Sequence, residues 1–202
     1  MTGEKARLVV RGDQQSPKPS SEDTYASTPS AAEIRILYSI ITQLGRPVHS
    51  CDVSQAFVQS NDLPKDSSLY IYPPHGYHYN PDVVWKLVKP LYCLSIAPKA
   101  WADTLKEFIN WYGFIPVNCS ETFYVCHAGN GESIHLVYHV DDLLFSFSND
   151  QLGLHFKNAL LTSFKARDDG PVKCFVGIDV TRDDTHTHLT QTPLTDSLLA
   201  DF

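Results

Sequence analysis

The stretch Val137-Tyr138-His139-Val140-Asp141-Asp142-Leu143-Leu144-Phe145 limits what this chain can fold into more than any other. Apolar residues flank two adjacent aspartates, which predicts two short strands joined by a turn at the acids. Two anions at one hairpin tip repel each other, and a cation or pair of cations facing them offsets that repulsion. An ordinary surface turn also accepts Asp-Asp, so the pair alone does not separate a turn from a site. A second acid answers it. In Cys51-Asp52-Val53-Ser54-Gln55-Ala56-Phe57, Asp52 directly follows a predicted strand over 46–51. Carboxylates arriving from different strands are a common way to hold a hard divalent ion such as Mg2+, which prefers oxygen ligands.

A chain of 202 residues buries one substantial core or two small lobes, and a hydrophobic fraction of 43% places it among folded proteins. Five cysteines without metal-finger spacing fit a reduced, intracellular protein, cytoplasmic or nuclear, whose thiols fill the core. The first residues carry no apolar leader core and no apolar run approaches membrane-spanning length, so no membrane partner is expected. The formal charge of -7 counts against broad phosphate neutralisation and throws any nucleic-acid binding onto a local basic groove.

Lys5, Arg7 and Arg11 alternate with Ala6, Leu8 and Val10, a strand-like pattern that puts three cations on one face. An edge strand in water has the same pattern. Residues 12–29 read as a long loop. Ser30 and Glu33 then form a capping box ahead of an apolar stripe at Ile34, Leu37, Ile41 and Leu44, with Gly45 as the stop. Leu69 to Tyr72 and Val83 to Leu87 predict short strands around an aromatic, histidine-bearing loop at 75–79 that is a structural turn or a base-stacking surface. Pro98 suits a first helical turn, and Trp101, Leu105, Phe108 and Tyr112 follow at helical spacing. Strands are predicted at 123–126 and 134–137. Asp150 opens a helix through Leu152, Phe156 and Leu160, and a strand follows at 174–180. The order of elements predicts an α+β fold with a central antiparallel sheet and helices on it.

Four blocks together resemble the reverse transcriptase domain of Ty1/copia-type retrotransposons. They are Lys5 to Gly12, Asp52 to Phe57, Leu91-Tyr92-Cys93-Leu94-Ser95-Ile96-Ala97-Pro98-Lys99-Ala100-Trp101, and the hairpin at Asp141-Asp142. They occur in the family's order and cover nearly the whole chain. The resemblance implies the fingers and palm of a right-hand polymerase. It assigns about 1–50 and 60–100 to fingers, 51–59 and 101–185 to palm, and 186–202 to the start of a thumb connection, too short for a whole thumb. It also implies RNA-directed DNA polymerase activity with two Mg2+ ions, held by Asp52, Asp141 and the backbone carbonyl of Val53, with Asp142 adding negative field. Lys5 and Arg7 would meet the incoming triphosphate. Phe57 would lie under its sugar and exclude a 2'-hydroxyl. The implied partners are an RNA or DNA template-primer, deoxynucleoside triphosphates, and a second copy or the rest of a retroelement polyprotein.

The chain departs from the family at Cys93 for Gly, Ser95 for Lys, Ile96 for Gln, and His139 for the Tyr before Val-Asp-Asp. Tyr138 stands one position early. Side chains alternate along a strand, so it replaces that tyrosine only through a bulge. These departures support an alternative: a catalytically inactive retroelement-derived fragment that binds protein or nucleic acid.

Overall fold

The structure, a computed structural model, describes residues 7–74, 76–77, 82–183 and 185–200. Its elements are α1 (Ala31–Gln43), β1 (Val48–Val53), α2 (Ala56–Gln59), β2 (Tyr70–Ile71), β3 (Trp85–Lys86) and α3 (Ala97–Tyr112). They continue with β4 (Ile115–Pro116), β5 (Phe123–His127), β6 (Ser133–His139), β7 (Asp142–Phe147), α4 (Asp150–Ser163) and β8 (Ala166–Pro171). A C-terminal group holds β9 (Cys174–Phe175), β10 (Ile178–Arg182), β11 (Thr187–Thr190) and α5 (Thr192–Ala200). Two compact units result. One is Met1–Ala26 with Gln55–Lys106, the other Ser27–Ser54 with Glu107–Phe202.

The second unit is built on a six-stranded antiparallel sheet in the order β4-β5-β6-β7-β1-β8. Alternation divides its side chains between two faces. On one face Phe123, Val137, Leu144 and Val48 form a core with Ile34, Leu37, Tyr38 and Ile41 of α1 and with Phe175 and Val180 of β9 and β10. The i, i+3, i+4, i+7 spacing in α1 explains why that helix lies there. Its start is fixed by the predicted capping box: Ser30 Oγ accepts from Glu33 N–H at 3.2 Å, and Glu33 Oε2 accepts from Ser30 N–H at 2.7 Å. The other face carries Phe145 and Phe147, and Phe156 of α4 meets Phe145 edge-on at 5.1 Å between ring centroids. The cap of α4 falls one residue before the predicted Asp150. Asn149 Oδ1 takes the Leu152 N–H at 2.8 Å.

β8 is absent from the sequence-based reading. Its residues, Ala166-Arg167-Asp168-Asp169-Gly170-Pro171, have neither apolar alternation nor β-branched content. It forms because β1 offers an unpaired edge, and its Pro171 is tolerated because β8 is itself an edge strand.

In the first unit Leu87, Leu94 and Ala97 form a small core joined by Val10, Phe57, Leu63, Leu69, Ile71, Leu91 and Ile96. The strand predicted over residues 5–11, of which 5 and 6 lie outside the described residues, is reduced among the described ones to a bridge between Val9 and Tyr92, with Val10 N–H donating to Tyr92 O at 3.0 Å. Gly12 ends it by starting a 3-10 turn. A Cβ on Gly12 would stand 1.9 Å from the carbonyl oxygen of Cys93, so this close approach requires glycine.

Two of the three departures in the motif have different physical consequences. Ile96 gains apolar contact with the core. Cys93 takes φ +69, a left-handed conformation that favours the glycine of the family pattern. Strain of this kind costs roughly 1–3 kcal/mol, of which the greater freedom of unfolded glycine cancels about 0.5–1. Cys93→Gly is therefore expected to raise stability by about 1 kcal/mol, a gain of roughly 2–4 °C in melting temperature. An unchanged or lower melting temperature would refute strain at this position.

Candidate active site

β6 and β7 pair without a register break from Ile134↔Phe147 to His139↔Asp142, leaving Val140 and Asp141 as a two-residue connection. Val140 has φ +56 whereas Asp141 stays at negative φ, the sign pattern of a type II' hairpin turn, whose first central residue is usually glycine. A β-branched residue there is a strained outlier, and such outliers gather at functional sites. The turn is tied to β1 by Val53 N–H, which donates to Asp141 O at 2.8 Å.

Directly opposed residues on neighbouring strands project from the same face. The pairings His139↔Asp142, Asp142↔Asp52 and Asp52↔Arg167 therefore line up four polar residues across β6, β7, β1 and β8. This row shares its face with Val137 and Leu144 but lies at the strand ends, where its members are only partly buried or exposed. Asp52 lies inside β1, the sixth and last residue of which is Val53, rather than after it. Tyr138 points the other way: it is buried, and its hydroxyl donates to Glu121 O at 2.8 Å. With no bulge in the pairing, His139 alone holds the family tyrosine's place on the acidic face.

Burial, then the charges of Asp141 and Asp52, push the Asp142 carboxyl above the ordinary carboxylate range, and His139 offsets part of this. A carboxyl raised in this way binds its proton more tightly when folded than when unfolded. Its ionisation thus costs nothing below the unfolded value and costs stability increasingly as pH rises through the folded one. Asp142→Asn is expected to be more stable than the parent in EDTA at neutral pH by up to about 1 kcal/mol. The difference should close below about pH 4. Equal melting temperatures at pH 7 would show that the carboxylates do not repel.

The donors here are carboxylate oxygens in excess of nearby positive charge, chemistry that suits a hard divalent cation. The ligand set is not closed around one. Among the described residues no three His, Cys, Asp or Glu side chains are gathered to hold a metal ion.

The other predicted residues lie in the first unit. Arg7 stacks its guanidinium over the Tyr92 ring at 4.3 Å, and Phe57 contacts the same ring at 5.1 Å between centroids. Tyr92, named in the sequence only as a motif residue, is thus the support shared by the expected triphosphate cation and the expected sugar gate. Lys5 falls outside the described residues. Arg167 escaped the sequence-based reading with β8 itself, since a charged residue in a polar run has no pattern to mark it.

No helix among the described residues is long and apolar enough to cross a membrane. The sequence profile described as "Reverse transcriptase (RNA-dependent DNA polymerase)" matches residues 2–202. The chain is 30% identical over 198 residues to the Retrovirus-related Pol polyprotein from transposon RE2 of Arabidopsis thaliana, covering 97% of this chain and 13% of that protein. It is 31% identical over 189 residues to the Pol polyprotein from transposon RE1 of the same plant, covering 93% and 13%. The Pol polyprotein from transposon TNT 1-94 of Nicotiana tabacum is 28% identical over 187 residues, covering 92% and 14%. The chain therefore spans about an eighth of the length of these relatives. No solved structure matches it.

Proposed function

The chain belongs to the reverse transcriptase family of Ty1/copia-type retrotransposons, and from that premise we propose that it works as an RNA-directed DNA polymerase by two-metal nucleotidyl transfer. The observation that carries the reading is the register of β1 on β7. It sets Asp52 opposite Asp142 while Val53 anchors the turn that bears Asp141. Asp52, Asp141 and the Val53 carbonyl are the proposed holders of Mg2+, and Asp142 adds negative field. Bound Mg2+ would supply charge neutralisation at the attacking and leaving oxygens. The protein's own part is positioning and electrostatics. Arg7 and Lys5 would neutralise the triphosphate, a guanidinium being suited to grip phosphate in a two-pronged way. Phe57, braced on Tyr92, would reject a 2'-hydroxyl by its bulk.

In this reading residues 51–59 and 101–185 serve as palm and about 1–50 and 60–100 as fingers, with the segment from residue 186 leading toward a thumb. Template-primer, deoxynucleoside triphosphates and further parts of a retroelement polyprotein are the proposed partners. The departures at Cys93, Ser95, Ile96 and His139 favour a second reading, an inactive fragment that binds nucleic acid or protein. Extension of a DNA primer on an RNA template with Mg2+ decides between them. Extension supports the polymerase. Binding of the template-primer without extension supports the second reading, and an absence of both extension and binding would remove nucleic acid as a partner of this chain.

A further inference from the structure

Arg167 stands opposite Asp52 on β8 at the end of the acidic row. The strand carries a bulge beside it: Asp168 pairs with Cys51 and Gly170 with Ser50, leaving Asp169 as the extra residue. Bulges re-aim side chains and are frequent next to active sites. Here Arg167 Nε donates to Asp169 Oδ1 at 2.6 Å and Nη2 to Oδ2 at 3.4 Å. Asp168 is engaged elsewhere, by Lys157 of α4 at 2.7 Å. A guanidinium is charged at every working pH, and a two-pronged carboxylate grip restricts where that charge can go. The fields of Asp52 and Asp142 add to that of Asp169 in holding it positive.

We propose that Arg167 is a positioning residue for the carboxylate row, a resident counter-cation that offsets the repulsion between Asp52 and Asp142 and competes with a divalent cation for Asp52. The naming of Mg2+ as competitor rests on the polymerase reading; the relation of Arg167 to the row does not. Two like charges opposed on a sheet destabilise it in metal-free solution, and Arg167 supplies a counter-charge from the neighbouring strand. Its exposure, 68% for the side chain, leaves it free to yield when a stronger cation arrives. Nothing in a metal-only account of the acids calls for a cation built into β8.

The test has two arms. In EDTA at low salt, melting temperatures are compared for the parent, Arg167→Gln, Asp142→Asn and the double variant. Arg167→Gln is expected to lower the melting temperature in the parent and to do little in the Asp142→Asn background; additive effects overturn the proposal. Should Arg167→Gln not fold, recovery in the Asp142→Asn background or on adding Mg2+ supports it, and recovery in neither overturns it. In the second arm Mg2+ alone is titrated calorimetrically into the parent, Arg167→Gln, Arg167→Lys and Arg35→Gln, the last removing a charge from α1. The expectation is half-saturation at about three- to tenfold less Mg2+ for Arg167→Gln, and parental values for the other two. Equal affinity in the parent and Arg167→Gln, or no Mg2+ binding by either, overturns the competition. Primer extension then judges the polymerase reading separately.

Discussion

Asp52→Asn and Asp141→Asn are each expected to slow primer extension by about two to three orders of magnitude while leaving the protein at least as stable as the parent. The rate follows from the source of catalysis. Where positioning and electrostatics do the work, removing one charge aimed at the reacting centre costs roughly a hundredfold to a thousandfold. The stability follows from the crowding of the acids, since Asp141 and Asp52 are, after burial, the two largest of the three charges that raise the Asp142 carboxyl. Neutralising either relieves like-charge repulsion. Few substitutions lower activity and raise stability together, and the combination separates a functional acid from a structural one. Single-nucleotide addition to an RNA-templated primer gives the rate, and a melt in EDTA gives the stability. A variant that keeps parental extension would remove its acid from the mechanism. A variant that melts lower would show its carboxylate to be a structural group.

The sequence exposed those acids but left some of their setting hidden. Asp141-Asp142 was readable because apolar strands flank it, and the capping box at Ser30 because its chemistry lies within four residues. That His139 and not Tyr138 occupies the acidic face also followed from strand alternation. Three features did not. β8 depends on an edge supplied by β1, a partner more than 100 residues earlier, and its own polar run carries no strand pattern. The bulge at Asp169 is a property of that pairing and of neither strand alone. Among the described residues, the strand expected at residues 5–11 is reduced to a bridge because alternation states which face a strand would show, not whether a neighbour is there to pair with it. In the altered motif, the likeness to the family identified where glycine was missing. In the fold its absence means that Cys93 adopts the left-handed conformation with a side chain that resists it.

The largest effect on folding is expected at Phe156, which holds α4 to the sheet beneath the acids. Its ring is fully buried and contacts Phe108 at 6.4 Å, Tyr112 at 5.0 Å, Phe114 at 5.2 Å and Phe145 at 5.1 Å between centroids. It thus joins α4, the end of α3, the segment before β4, and β7. Phe156→Ala removes the ring from all four at once, and no single neighbour can move in without leaving another. The cost is expected at about 3–5 kcal/mol, the upper range for truncating a buried aromatic. Against a total of about 5–15 kcal/mol for a typical domain, that brings the unit near its unfolding threshold. Phe156→Leu, which refills most of the space, should cost clearly less. Loosening α4 also weakens the hold of Lys157 on Asp168, so β8 and the Arg167 it carries lose their tether. Urea unfolding measures the loss, and hydrogen exchange at the amides of β8 reports the tether. A loss below about 1 kcal/mol for Phe156→Ala would mean that the surrounding rings collapse into the cavity. Unchanged exchange in β8 would show that its pairing with β1 holds the strand without help from α4.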